Sequence, residues 1–553
     1  MTGERIWLFD TTLRDGAQTR GIDFSVADKI AIAKALDDMG IDYIEGGWPG
    51  ANPTDNAFFA DLPTLKSART VAFGMTRRGG RSASNDPGLV AVMDAPTDGT
   101  CLVGKTWDFH VRTALGVELD ENLEMITSSL QAVADRGRQP MFDCEHFFDG
   151  FKNNPDYALA CAKAAFDGGA EWIVLCDTNG GSMPDDISAG VAAVKAHLPD
   201  ANIGIHCHND CGLAVANSIA AVQAGARQVQ GTINGIGERC GNADLITLIP
   251  NLMLKYGYQT GVAKDRLPKL KSLSRLLDNR INRVPNAHAP YVGDAAFAHK
   301  GGLHASAAQK DPRTYEHVPP ETVGNMREYI VSDQSGKANF LARFEDFGIA
   351  IDKNDARLDA LIADVKTKEY NGWAFDTAEA SMELLVRRAL GEVPDYFLIG
   401  RFRVMDERRF NAKGKLVVES EATVTVTVGG ESFHEAAEGN GPVNAVDTAV
   451  RKALIRAYPK LSGVTLFDYK VRIISGNAET ADGEQGGTDA VTRVLIECRD
   501  DDGTGWTSVG VSTNIIDASV MALSDAMTWK LFKDGVQAPL KAPVKAPLKA
   551  PGA

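Results

Sequence analysis

Three short segments carry residue types that can do chemistry together. The first runs Asp10-Thr11-Thr12-Leu13-Arg14-Asp15-Gly16, where a guanidinium adjoins a carboxylate. An anion binder beside a metal ligand, or a surface ion pair, would both look like this. The second is His206-Cys207-His208-Asn209-Asp210. Side chains two apart on a strand point the same way, so both imidazoles can face one metal ion. The third is Asn234-Gly235-Ile236-Gly237-Glu238-Arg239-Cys240-Gly241-Asn242. Its glycines let backbone approach a ligand closely, and the Asn242 amide oxygen could complete a metal shell. Two histidines, an aspartate and an amide with open positions suit a Lewis acid that holds a 2-oxo acid through its keto and carboxylate oxygens. The same donors could hold non-haem iron for oxygen chemistry.

Further polar residues sit where strands end. Glu145 lies in Asp143-Cys144-Glu145-His146-Phe147-Phe148, and an acid among aromatics can be desolvated and suited to proton transfer. Thr178, in Asp177-Thr178-Asn179-Gly180, offers a hydroxyl to a substrate carboxylate or a cap to the next helix. His304 stands in the Gly-rich run His299-Lys300-Gly301-Gly302-Leu303-His304, where a histidine is more often structural than catalytic. The eight cysteines form no CxxC pair, which reads as free thiols in a reducing, cytoplasmic compartment.

These segments need a frame that brings residues 15, 206 and 242 together. The first part of the chain alternates short apolar runs with helical patterns, which predicts parallel strands joined by crossover helices. Eight strand candidates stand at Ile6–Thr11, Tyr43–Gly47, Thr70–Met75, Thr100–Lys105, Pro140–Cys144, Trp172–Asp177, Asn202–His206 and Gln228–Ile233. Eight strand–helix units in about 250 residues predict a TIM barrel of the α/β class, whose active site lies at the C-terminal ends of its strands. An open doubly wound sheet is the alternative. The metal-ligand candidates follow strands 1, 7 and 8, and strands 1 and 8 are neighbours only in a closed sheet. Ser25 and Asp28 read as a capping box for the first helix, and Gly40 as its end.

Residues 1–260 are therefore expected to form the barrel. Strand alternation stops over 261–394, which reads as a helical linker subdomain packed on the barrel mouth. An α+β domain is expected over 395–533. Its strand candidates are Phe397–Met405, Ala422–Val428, Tyr469–Ile474, Val491–Cys498 and Trp506–Val511, with helices at Val443–Ala457 and Ile515–Leu531. Asn444 and Asp447 repeat the spacing of Asn514 and Asp517, which suggests an internal duplication. The Lys-Ala-Pro repeats within 534–553 predict a disordered tail. A formal charge of −15 argues against a nucleic-acid partner, and no apolar run approaches the ~20 residues a membrane span needs.

Taken together, the segments FDTTLRDGAQ, HCHND and NGIGERCGNADL resemble the DRE-TIM metallolyases, in the branch of the 2-isopropylmalate, homocitrate and citramalate synthases. The resemblance runs nearly to Lys533. It implies a Claisen-type acyltransferase that joins the methyl carbon of acetyl-CoA to the keto carbon of a 2-oxo acid. A divalent metal (Mn2+, Zn2+ or Mg2+) is implied on Asp15, His206 and His208, with Asn242 nearby. Arg14 matches the arginine that polarises the keto oxygen. Glu145 matches a glutamate near the acetyl methyl, and Thr178 a threonine near the substrate carboxylate. His304 matches a proposed acid–base histidine, and Tyr315 is a possible acetyl-CoA contact. Segments IEGGWPGANP (44–53), TWDFHV (106–111) and EHFFDGF (145–151) look like the members that use pyruvate, with 2-oxoisovalerate as the alternative acceptor. One methylene discriminates by only ~1–3 kcal/mol, so one or two pocket residues decide between them. The resemblance also implies a homodimer and feedback by an end-product amino acid, isoleucine for the pyruvate-using members. A C-terminal domain acting alone as an amino-acid sensor is the non-enzymatic alternative.

Overall fold

The computed structural model describes residues 3–329, 337–474 and 490–539. It divides into two compact units, 1–298 with 316–328, and 299–315 with 329–553. Most of the Lys-Ala-Pro tail, 540–553, lies outside the described residues.

In the first unit eight parallel strands close into a barrel in sequence order. They are β1 (Trp7–Asp10), β2 (Tyr43–Gly47), β3 (Arg69–Met75), β4 (Gly99–Lys105), β5 (Gln139–Glu145), β6 (Trp172–Asp177), β7 (Ile203–Cys207) and β8 (Gln228–Gly231). Closure is made by β1 against β8, with Leu8 opposite Val229 and Phe9 opposite Gln230. The open-sheet alternative is excluded. Residues alternate between two cores. Leu8, Ile44, Leu102, Phe142, Ile173 and Ile205 face outward and bury against the helices. Phe9, Tyr43, Cys101, Met141, Trp172 and Val174 face inward and plug the barrel. Above this plug the inward positions turn polar, which is where the chemistry begins.

The crossover helices show why they start and stop. The helix Val26–Met39 opens with a reciprocal capping box between Ser25 and Asp28. It ends at Gly40, whose φ of 99° is open to glycine at little cost. An Ile32–Leu36–Met39 stripe buries against the strands. Past β8, Thr12 Oγ1 accepts from the Ile233 backbone N–H at 2.9 Å and donates to Asp10 at 2.8 Å. That bond ties the turn after β1 to the loop after β8.

Helices dominate 261–394, at Leu270–Arg280, Gly302–Lys310, Lys337–Asp346, Ala356–Tyr370 and Glu379–Ala389. The second unit then holds two three-stranded antiparallel sheets. The first is Leu398–Phe410, Leu416–Val428 and Glu431–Gly439, followed by the helix Pro442–Ala457. The second is Thr465–Ile474, Val491–Arg499 and Gly505–Ser512, followed by the helix Ile515–Lys533. Strand Glu431–Gly439 escaped the sequence reading because its face is charged and mostly exposed. The duplication is real at the level of sheet-then-helix, but the Asn/Asp spacing does not mark it. Asn514 caps its helix through Ile516 N, whereas Asn444 lies inside its helix and accepts from Asn440 N. Among the described residues no helix is long and apolar enough to cross a membrane.

Candidate active site

The turn after β1 carries Arg14 and Asp15 into the barrel mouth, where Asp15 is buried and Arg14 largely so, rather than paired at the surface. β7 ends at Cys207, so His206 points inward while Cys207 packs outward in the helix-facing core. His208 follows on the same side. Asp15 Oδ2 lies 3.2 Å from His206 Nε2 and 3.8 Å from His208 Nε2. The two Nε2 atoms are 3.3 Å apart. The loop after β8 brings Asn242 against them, with Nδ2 donating to Asp15 Oδ2 at 2.9 Å. Residues separated by more than 220 positions thus meet in one buried cluster.

The cluster's protons are set from behind. Gln230 lies directly across from His206 in the β7–β8 register. Its Oε1 accepts from His206 Nδ1 at 2.8 Å, and its Nε2 donates to Asp143 Oδ1 at 3.2 Å. With a hydrogen on Nδ1, His206 directs Nε2 toward Asp15 and His208, where it can carry a second proton or bind a cation. Burial alone would lower the His206 pKa; the hydrogen bond and charge of Asp15 outweigh it and raise it. Burial, then the His206 charge, pushes His208 down to about 3. Asp15 is held far below the usual carboxylate range: burial opposes this, but Arg14 and the two histidines prevail.

A divalent cation fits this donor set. Asp15, His206 and His208 each offer one ligand atom, all within 4.8 Å of one another and all buried. Two imidazole lone pairs that face each other at 3.3 Å repel unless a proton or cation lies between them. The donors are nitrogen and carboxylate oxygen without thiolate, a set suited to Mn2+, Mg2+ or Zn2+. Asn242 presents its NH2 to Asp15, and its Oδ1 is buried without a partner among the described residues. The expected amide-oxygen ligand therefore requires that the amide turn over.

Arg14 is aimed by two neighbours. Its Nε donates to Glu45 Oε2 at 2.7 Å, and its guanidinium lies 3.9 Å from the Phe73 ring centroid. Burial pushes Glu45 up to about 7, Arg14 opposes that shift, and Asp143 adds to it. Glu45, Asp143 and Gln230 were missed by the sequence reading. The signal was there: each is a polar residue on a buried strand position flanked by apolar residues or glycine.

Glu145 ends β5, and Thr178 directly follows β6. The backbone N–H of His146 donates to Thr178 Oγ1 at 2.8 Å, which leaves the Thr178 hydroxyl proton for another acceptor. Thr178 also accepts, through its carbonyl, from Arg239 Nη2 at 2.7 Å. The environment of Glu145 corrects the sequence reading: it is an ion pair with Lys105, not an aromatic enclosure. Phe147 and Phe148 turn into the helix-facing core instead. His304 and Tyr315 belong to the second unit, where their rings stack at 4.1 Å.

Three family models cover the chain: HMGL-like over residues 5–273, the homocitrate synthase post-HMGL domain over 291–371, and the LeuA allosteric (dimerisation) domain over 376–531. The (R)-citramalate synthase of Aquifex aeolicus is 49% identical over 96% of this chain and 98% of its own length. That of Geobacter sulfurreducens is 50% identical over 95% and 97%. A probable 2-isopropylmalate synthase of Methanopyrus kandleri, matched over 94% and 97%, reaches only 32%. The chain belongs to the (R)-citramalate synthase family. These citramalate synthases match this chain through the barrel, the helical region and the C-terminal domain, over nearly the whole of both chains. The iron-oxygenase and sensor-only alternatives end here.

Proposed function

We propose that the chain condenses acetyl-CoA with pyruvate and water to give (R)-citramalate and CoA. The observation that carries this reading is the convergence of Arg14, Asp15, His206 and His208 at one end of the barrel, in a chain 44–50% identical to five (R)-citramalate synthases.

Asp15, His206 and His208 would hold the divalent cation, whose contribution is to polarise the keto group of the 2-oxo acid. Arg14 offers Nη1 and Nη2 to the keto oxygen while Glu45 and Phe73 keep the guanidinium from swinging. Charge that develops on that oxygen meets a donor already oriented, so little reorganisation is needed. Thr178 donates its hydroxyl proton to the pyruvate carboxylate. Glu145 and His304 are the candidate bases for the acetyl methyl proton, and Tyr315 a candidate acetyl-CoA contact. Lys105 pairs with Glu145 at 2.5 Å and orients that carboxylate.

The match to the LeuA allosteric (dimerisation) domain supports a homodimer regulated by an end-product amino acid, with isoleucine our choice. CoA release from acetyl-CoA, followed with pyruvate and with 2-oxoisovalerate, tests the substrate. Pyruvate is expected to give a kcat/KM at least 100-fold higher. Equal or reversed values would overturn the assignment in favour of 2-isopropylmalate synthesis.

A further inference from the structure

The cation-binding histidine His206 is held by a buried two-residue relay that contributes no ligand itself. Asp143 is on β5, Gln230 on β8 and His206 on β7. Asp143 and His206 are nearly fully buried, and Gln230 is wholly so. Asp143 reaches across the barrel interior to accept from Gln230 Nε2 at 3.2 Å. Gln230 Oε1 in turn accepts from His206 Nδ1 at 2.8 Å.

We propose that Asp143 and Gln230 are positioning residues that fix the Nδ1–H form of His206 and so set the affinity of the site for a divalent cation. The proposal rests on the cation reading of Asp15, His206 and His208.

The argument is one of donors and acceptors. An amide side chain can face an imidazole with either end, and the two ends select opposite tautomers. Presenting oxygen puts the hydrogen on Nδ1 and leaves Nε2 with a lone pair for a cation. Presenting NH2 would put the hydrogen on Nε2 and remove that lone pair. Asp143 Oδ1 accepts from the NH2 end of Gln230, which leaves the amide oxygen for His206. The relay also locks the ring plane, because Gln230 is opposite His206 in the strand register. No other polar group in the barrel does this for His208, whose Nδ1 is buried without a partner among the described residues. The two histidines are therefore unequal: His206 is preset, and His208 adjusts.

The test is Mn2+ affinity of the full-length chain, measured by chelator competition and calorimetry without substrates. Gln230→Met keeps the bulk but removes both hydrogen bonds, and roughly 10- to 100-fold weaker binding is expected, the usual cost of losing a histidine's outer partner. The double replacement Asp143→Asn with Gln230→Glu reverses donor and acceptor along the first link and preserves the acceptor for Nδ1–H. It is expected to restore binding to within about threefold of wild type. Wild-type affinity in Gln230→Met would overturn the relay. So would a double variant that folds, by circular dichroism and thermal unfolding, yet binds as weakly as Gln230→Met. If the double variant does not fold, single Gln230→Glu decides by the same criterion, since it too keeps the acceptor. Asp15→Asn separates the two readings. Unchanged Mn2+ binding in that variant removes the cation site itself, whatever Gln230 does.

Discussion

Arg14 and Glu45 are joined by a 2.7 Å hydrogen bond from Nε to Oε2, with the Glu45 side chain wholly buried and the guanidinium laid on the Phe73 ring. The pair leaves Nη1 and Nη2 as the donors directed at the site. Arg14→Lys keeps the charge but not the fork or the ring contact. A fall in kcat of about 100-fold is expected, with thermal stability changed far less, in the range seen when an oriented oxyanion donor is lost. Steady-state kinetics beside a melting curve checks this. A lysine variant with wild-type kcat would show that Arg14 does not act in the transition state.

Removing the cation should abolish turnover without unfolding the barrel, because the plug of Phe9, Tyr43, Met141 and Trp172 lies below the site and does not depend on it. Dialysis against a chelator is expected to take CoA release below a tenth of its value. Readdition of Mn2+, Mg2+ or Zn2+ is expected to restore it, with the order of restoration naming the preferred ion. Activity that persists in metal-free protein would end the Lewis-acid account.

Gly237 sits where an added Cβ would fall 2.2 Å from Asn242 Oδ1. Its backbone is not in the left-handed region, and the next approaches are also to Asn242, at 2.9 Å to Cγ and 3.2 Å to the backbone nitrogen. Gly237→Ala is expected to push the Asn242 amide off Asp15. Catalytic efficiency should drop about tenfold or more, while stability falls by no more than about 1–3 kcal/mol, the cost of local overpacking. A variant that loses stability but retains full kcat/KM would place the importance of this glycine in folding alone.

Asp10 is buried at the end of β1, and burial pushes its carboxyl up to about 7 although the Thr12 hydroxyl and N–H both bond to it. An unfolded aspartate titrates near 3.9. Between about pH 4 and 7 the folded chain holds a proton there that the unfolded chain has lost, so the Asp10 contribution to stability declines as pH rises through that window. Asp10→Asn imitates the protonated acid: its oxygen accepts from Thr12 N–H and its NH2 faces the Thr12 hydroxyl. Relative to wild type its melting temperature is expected to climb from pH 4 to pH 7 and level off above. A difference that stays flat across this range would contradict the buried-acid account.

Much of this arrangement is written in local patterns. The eight strands announce themselves by apolar runs bounded by turns, and His206 with His208 by spacing alone. Asp15 follows because a strand end in a barrel is a functional address. Glu45, Asp143 and Gln230 are harder to see. Each stands among apolar neighbours, and only closure of the sheet shows that their side chains share one interior. The environment of Glu145 was misread for a related reason: adjacent aromatics in sequence went to the other face, and a lysine from β4 came to its side. Strand Glu431–Gly439 lacks the apolar run that marks a buried strand: only Ala437 is buried, Phe433 packs beside the core, and the pairing with Leu416–Val428 supplies the backbone bonds.

The bond between Asn242 and Asp15 crosses 227 positions of chain. During translation, Asp15 leaves the ribosome long before Asn242 is made, and β1 has no second neighbour until β8 emerges. A nascent chain ending before β7 carries neither histidine. The growing polypeptide thus lacks the full set of donors until β7 has been made, and the Asn242 bond to Asp15 forms only after β8 has followed.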